Sequence, residues 1–212
     1  MTSLTETVVI VAIVTIIASV AVGSGLDRID DARVAQAGQD TELIGMAVHS
    51  FIQDTGLPPA FKSGLSTSPT DEIFFVLETE GKDAEGKTST WPTEADERDL
   101  TENHLMMNQP AGSAPSYLRI GEISFNRQKG WNGPYLTRLP VSDPWAGKYL
   151  VNVQFFTPQG VNLVREGLAI PPGGRVAVVV LSAGANRTIE TRFDQLSESF
   201  TAIGDDIIFR MQ

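Results

Sequence analysis

Hydrophobic positions follow three different patterns along this chain. From Thr7 to Leu26, twenty consecutive residues carry no charge, and Val8–Val14 is almost wholly β-branched or alanine. Twenty helical residues span about 30 Å, the thickness of a bilayer's hydrocarbon core. Beyond this run a helical period takes over. Leu26, Ile29, Arg33, Ala37, Asp40, Ile44, Ala47 and Phe51 recur at three- and four-residue spacing, with Asp27, Asp30, Asp31, Gln36, Gln39 and Glu42 on other faces. No proline interrupts residues 1–57, and Asp54-Thr55-Gly56-Leu57-Pro58-Pro59 supplies a stop. The pattern predicts one continuous helix of about 54 residues, about 80 Å long. Its first half suits a membrane or a dry bundle, and its second packs on a globular head. Gly23, Gly25, Gly38 and Gly45 each weaken it by up to about 1 kcal/mol, with local melting expected near Gly23–Gly25.

The rest of the chain is shorter-grained. Ser68-Pro69-Thr70-Asp71-Glu72 ahead of Ile73, Phe74, Val76 and Leu77 predicts a short capped helix. From Glu78 to about Pro115 the sequence is polar and acidic, and we expect a surface excursion with His104 solvated in it. His49, on the long helix, is assigned a packing role. Strands are expected at Lys148–Phe156, Arg175–Leu181 and Ile207–Met211, the first two separated by Pro171-Pro172-Gly173-Gly174. The fold class is therefore α+β: a long N-terminal helix, its apolar half protruding and its amphipathic half packed on the head, with a small C-terminal antiparallel sheet and long loops. Residues 1–26 form the apolar helix and 27–212 the head. The head comprises the amphipathic half-helix 27–55, an acidic insertion at 78–115, and loop plus sheet at 131–212.

Composition narrows the chemistry. With 16 basic and 26 acidic residues the net charge is −10, the wrong sign for displacing counterions from nucleic-acid phosphates. Zero cysteines exclude disulfides, thiolate metal sites and cysteine nucleophiles, and two distant histidines argue against a zinc centre. No Gly-x-Ser-x-Gly, phosphate loop, HExxH or EF-hand spacing occurs. Asp205 and Asp206 are adjacent, not facing as an acid–base pair would be. We read the chain as not an enzyme.

Three places carry candidate chemistry. Glu6 stands at the lip of the apolar run, in a segment (Met1–Thr7) with no basic residue, which departs from the basic front of a secretory signal peptide. Cleavage after small residues in Ala18-Ser19-Val20-Ala21 and a plain single-span anchor remain open readings. A carboxylate here either rests in the headgroup layer, aiding the helix N-terminus, or finds a cation when the helix leaves lipid and packs against copies of itself. The cation available is the N-terminal amine of a neighbouring subunit. The second place is a turn-dense loop: Trp131-Asn132-Gly133-Pro134-Tyr135-Leu136, then Leu139-Pro140, then Asp143-Pro144-Trp145-Ala146-Gly147-Lys148-Tyr149. Proline and glycine make it rigid and sharply turned, and Trp145 and Tyr149 can cover a core. The third runs from Ser182-Ala183-Gly184-Ala185-Asn186 to Gly204-Asp205-Asp206-Ile207, where three oxygen-bearing side chains and turn carbonyls such as that of Ala183 suit calcium. Asn186-Arg187-Thr188 also fits a glycosylation sequon.

Together these features resemble the type IV pilin superfamily, and most of all the major pseudopilin of type II secretion. That family opens with a short polar segment containing a glutamate, here Glu6, and runs into a long apolar helix. It carries a Gly-Pro-Tyr-Leu…Leu-Pro…Asp-Pro-Trp-x-x-x-Tyr loop, here Gly133, Pro134, Tyr135, Leu136, Leu139, Pro140, Asp143, Pro144, Trp145 and Tyr149. It closes on a Ser-x-Gly-x-Asp…Asp-Asp-Ile calcium loop, here Ser182, Gly184, Asn186, Asp205, Asp206 and Ile207. The resemblance covers roughly residues 1–58 and 131–208. The family's loop aspartate is Asn186, which keeps an oxygen but loses a charge, and the stretch 187–203 and the insertion at 78–115 are longer than the family's pattern. Five residues precede Glu6 where the family has four, or four without Met1. No leader with a glycine cleavage site stands before Met1, so the chain reads as already processed.

The resemblance implies a structural subunit of a helical homopolymer, held in the inner membrane before assembly and then moved into a periplasmic or extracellular filament. It implies assembly through Met1, Thr2 and Glu6, a prepilin peptidase and N-terminal methylation, and a pilus or secretion assembly machinery as partner. It also implies Ca2+ held by Asn186, Asp205, Asp206 and Ala183. The alternative is a single-span, membrane-anchored binding module using its acidic surface for recognition.

Overall fold

A computed structural model describes residues 4–65, 72–87, 90–120, 129–138, 140–157 and 175–211, with side chains from residue 28 onward. Helix α1 is continuous over Leu4–Thr55, 52 residues, or about 78 Å at the usual rise. It ends where the sequence places the stop. Gly56 takes a left-handed φ of 70° and donates its N–H to the Ile52 carbonyl at 2.8 Å, an arrangement that costs a β-carbon-free residue little. The Thr55 hydroxyl adds bonds to the Phe51 and Leu57 carbonyls. The chain divides into two compact units, Met1–Gln36 and Ala37–Gln212. The helix backbone of the expected apolar half is described from Leu4, but Met1 and Thr2, and the side chains of that half, Glu6 included, lie outside the described residues, so its apolar, protruding character is an expectation. Among the described residues no helix is long and apolar enough to cross a membrane.

The second unit is built on a five-stranded mixed sheet. Its strands are β1 (Val76–Glu78), β3 (Arg98–Leu100), β4 (Tyr149–Val151), β5 (Val179–Ser182) and β7 (Ile207–Arg210), in the order β3-β1-β4-β5-β7. A parallel pair, β2 (Gly86–Lys87) and β6 (Thr188–Ile189), stands apart. Strand alternation sorts the core into two layers. Leu77, Tyr149, Val151, Val180, Ile207 and Phe209 face Ala37 and Ile44 of α1. Val76, Leu150, Val179, Leu181 and Ile208 face the other way, onto Trp91, Phe155, Ile189 and Phe193. Register supports this, because Val151 pairs with Val180 and Val180 with Phe209. Further along α1, Ala47, Val48 and Phe51 pack on Leu105, Tyr117, Trp131 and Leu136. The predicted apolar stripe is thus buried from Ala37 to Phe51, whereas Ile29 and Arg33 are exposed.

Several expectations are corrected. The sheet is not purely antiparallel or purely C-terminal: β1 pairs parallel with β3, and both come from residues 76–100. Ile73–Leu77 is extended, not helical, because the run joins a ladder. Ile73 bridges Phe61, Phe74 N–H donates to the Ala60 carbonyl, and Leu77 pairs with Val151. Of the expected cap, Ser68–Asp71 lie outside the described residues. The 78–115 stretch is not a surface excursion. It supplies β3, the short helix α2 (Thr101–Leu105) and buried Trp91, whose indole N–H donates to the Thr191 carbonyl at 2.8 Å. His104 is fully buried, not solvated, bonded through its two ring nitrogens to Asp99 (2.9 Å) and Tyr117 (2.7 Å). Burial pushes the Asp99 carboxyl up, but hydrogen bonds from His104, Ala111 N–H and Asn103 outweigh it and hold it below the usual carboxylate value. His49 does not pack in the core; it is exposed and bonded to Gln53. The strand expected over 148–156 stops at Val151, because buried Asn152 turns its amide onto the Ala177 and Phe193 carbonyls and accepts Val179 N–H.

Candidate functional site

Strand pairing creates the site. Ser182 at the end of β5 lies opposite Ile207 at the start of β7, so the segment leaving β5 and the segment entering β7 meet at one end of the sheet. Asn186, Asp205 and Asp206 are brought together there, and a residue the sequence reading passed over, Glu190, joins them. Asp205 Oδ2 accepts the Asn186 N–H at 2.9 Å. Asp206 Oδ2 accepts Glu190 N–H at 3.0 Å and Thr191 N–H at 2.6 Å. Asn186 is committed on both ends of its amide: Oδ1 accepts Thr188 N–H at 2.6 Å and Nδ2 donates to Glu190 Oε1 at 3.1 Å. Gly184 fits by necessity. Its φ is +65°, and a β-carbon there would stand 2.2 Å from the Asp205 carbonyl oxygen.

Three carboxylate oxygens, Glu190 Oε2, Asp205 Oδ1 and Asp206 Oδ1, are buried with no hydrogen-bond partner among the described residues. Such atoms are costly unless something positive meets them. Asp206 records the strain. Burial raises its carboxyl above the usual value and the Glu190 charge adds to the rise, against the two backbone N–H bonds and the Thr191 hydroxyl. Hard oxygen donors of this kind match calcium in chemistry. Among the described residues, however, no group of three or more His, Cys, Asp or Glu side chains is drawn into a set that could hold a metal ion. Ala183, expected to lend a carbonyl, is buried in the core beneath the loop. Glu190 was readable as the acid four residues beyond Asn186, but it falls in a stretch that reads only as extra length.

The turn-dense loop lies beside this site and on α1. Its Gly133–Pro134 peptide is cis. Tyr135 accepts Asn132 N–H and bonds Asp54 near the end of α1; burial first, then the Asp54 carboxylate, pushes its phenol up to about 12. Tyr149 donates to Asp40 at 2.9 Å, so the loop's two tyrosines grip the helix at two carboxylates. Trp145 packs half-buried on the helix-facing core, while Pro144 is half-buried and Pro134 exposed. Leu139 lies outside the described residues. Asp143, 4% exposed, accepts Trp145 N–H (3.0 Å) and Gly147 N–H (2.6 Å) on one oxygen and the Ser182 hydroxyl (2.7 Å) on the other. The neighbouring cleft, lined among others by Arg98, Lys148 and Arg187, holds cations already paired with Glu78, Asp83 and Glu85.

No protein-family model, no curated protein and no solved structure matches this chain.

Proposed function

We propose that the chain is the structural subunit of a helical filament of the type IV pilin class, most like a major pseudopilin. The observation that carries the reading is α1: one unbroken helix of 52 residues. Its later turns form the spine of a compact head, and its early turns carry the twenty-residue charge-free run. A head needs only its own stretch of such a helix. The uncharged remainder calls for an apolar environment, first lipid and then identical helices. In a dry bundle Glu6 is costly unless paired with a neighbour's amine, so it acts as a register device. Assembly from the inner membrane, after a prepilin peptidase and with a dedicated machinery, belongs to the same reading. In the head, Asp205, Asp206 and Glu190, with Asn186, are not drawn into a metal-holding set as they stand, but they are the residues that would close on Ca2+. The ion would neutralise their unpartnered oxygens and tie the two loop segments where no disulfide does. The test is filament yield from the full chain. Wild type is expected to form filaments and Glu6→Leu to lose nearly all of them, with the near-ultraviolet dichroism of the head unchanged. Normal yield from Glu6→Leu overturns the reading.

A further inference from the structure

We propose that Asp143, in the Asp-Pro-Trp turn, is a positioning residue for the cation loop, acting through the Ser182 hydroxyl on the Gly184 backbone; this rests on the cation reading above. The chain of contacts is direct. Asp143 Oδ2 accepts the Ser182 hydroxyl proton at 2.7 Å, so the Ser182 oxygen is left to accept, and it takes the Gly184 N–H at 3.2 Å. Ser182 is fully buried, so water offers its hydroxyl no alternative partner. Gly184 in turn lies against the Asp205 carbonyl and carboxylate, with no room for a β-carbon between them. Asp205 then carries both the bond that orders Asn186 and an unpartnered oxygen. The other oxygen of Asp143 holds its own turn through Trp145 and Gly147, which fixes the carboxylate before it meets Ser182. One buried carboxylate therefore sets the polarity of a hydroxyl, which sets the turn on which the ligands are mounted. Partners that orient ligands commonly govern about 10–100-fold in metal affinity.

Two substitutions separate this relay from general support of the fold. Asp143→Asn can keep both backbone bonds through its oxygen, but its amide would donate to Ser182 and leave the serine proton without an acceptor. Ser182→Ala removes the relay and leaves the turn of Asp143 in place. Ca2+ alone is titrated calorimetrically into the full chain in detergent, and exchange of the Gly184 amide is followed in calcium-free protein. We expect each variant to bind Ca2+ about tenfold or more weakly, and the double variant no more weakly than the worse single one. Gly184 is expected to exchange faster in both, with folding intact by near-ultraviolet dichroism. Wild-type affinity in both variants, or fully additive losses, overturns the proposal while leaving the cation reading standing. No Ca2+ binding by wild type overturns the cation reading and the role of Asp143 with it.

Discussion

Gly45 shows how much a single residue can conceal. In the sequence it is one of four glycines that weaken the long helix. In the folded head, a β-carbon at this position would lie 2.3 Å from Cδ1 of Phe209, so the glycine is where β7 presses its ring onto α1. Gly45→Ala gains about 1 kcal/mol of helix propensity but must displace a ring packed among Tyr149, Val151 and Val180. Overpacking of this kind typically costs about 1–3 kcal/mol. We expect a net loss of stability by urea unfolding of the head, partly recovered in Gly45→Ala/Phe209→Leu; a more stable Gly45→Ala would contradict the packing. The spacing of apolar positions made the face of the helix legible, because Ala37, Ile44, Ala47 and Phe51 are all buried. It could not show which small residue on that face receives a partner, since that depends on a strand more than 160 positions away. His104 was unreadable for the same reason: its partners Asp99 and Tyr117 become neighbours only once the loop closes.

Among the elements, strands were legible where alternation is strong. The cores of β4, β5 and β7 fall within the predicted runs, whereas β1 lay in a run read as a capped helix and β3 in a polar stretch, because each has three residues and takes its ladder from neighbours. The cation loop was half legible. Its two acids and Asn186 are visible in sequence, but Glu190 and the crowding around Asp206 are properties of pairing. That crowding has a sign. A carboxyl whose folded value is raised binds its proton more tightly in the native state. Without metal, the head should therefore gain stability as pH falls through the folded value towards the ordinary one near 3.8. At neutral pH the ionised group is a liability. Asp206→Asn is expected to flatten that acid rise and to raise the metal-free melting temperature by about 2–4 °C, as relief of about 1 kcal/mol would in a domain of this size. Saturating Ca2+ should reverse the ranking, wild type then melting above Asp206→Asn. Thermal melts from pH 4 to 7, with chelator and with Ca2+, read both effects. A wild type that loses stability steadily from pH 7 to 4, in step with Asp206→Asn, would contradict the crowding.

For the whole molecule, the question is how much of the chain the head needs. Every residue from Arg28 to Gln36 is exposed, and the buried core, among the described residues, starts at Ala37. From there on, among the described residues, α1 covers one face of the sheet, and Trp91, Phe155 and Phe193 cover the other. The continuity of the helix was legible in the sequence through the missing prolines and the clean stop, but its division of labour at Gln36 was not, since the apolar period runs on unchanged through Ile29. A fragment comprising residues 27–212 should therefore fold by itself. We expect a single cooperative urea transition, with a midpoint close to that of the head in the full chain and the same near-ultraviolet dichroism. The nine exposed residues of α1 ahead of the core, 28–36, should fray as an isolated helix end does. On the reading proposed above, that fragment should bind Ca2+ with the affinity measured for the full chain, yet form no filaments at any concentration, because it lacks the charge-free run. If it instead unfolds without cooperativity, the head draws stability from the early turns. If it polymerises, the filament contact belongs to the head, and the charge-free run must be explained in another way.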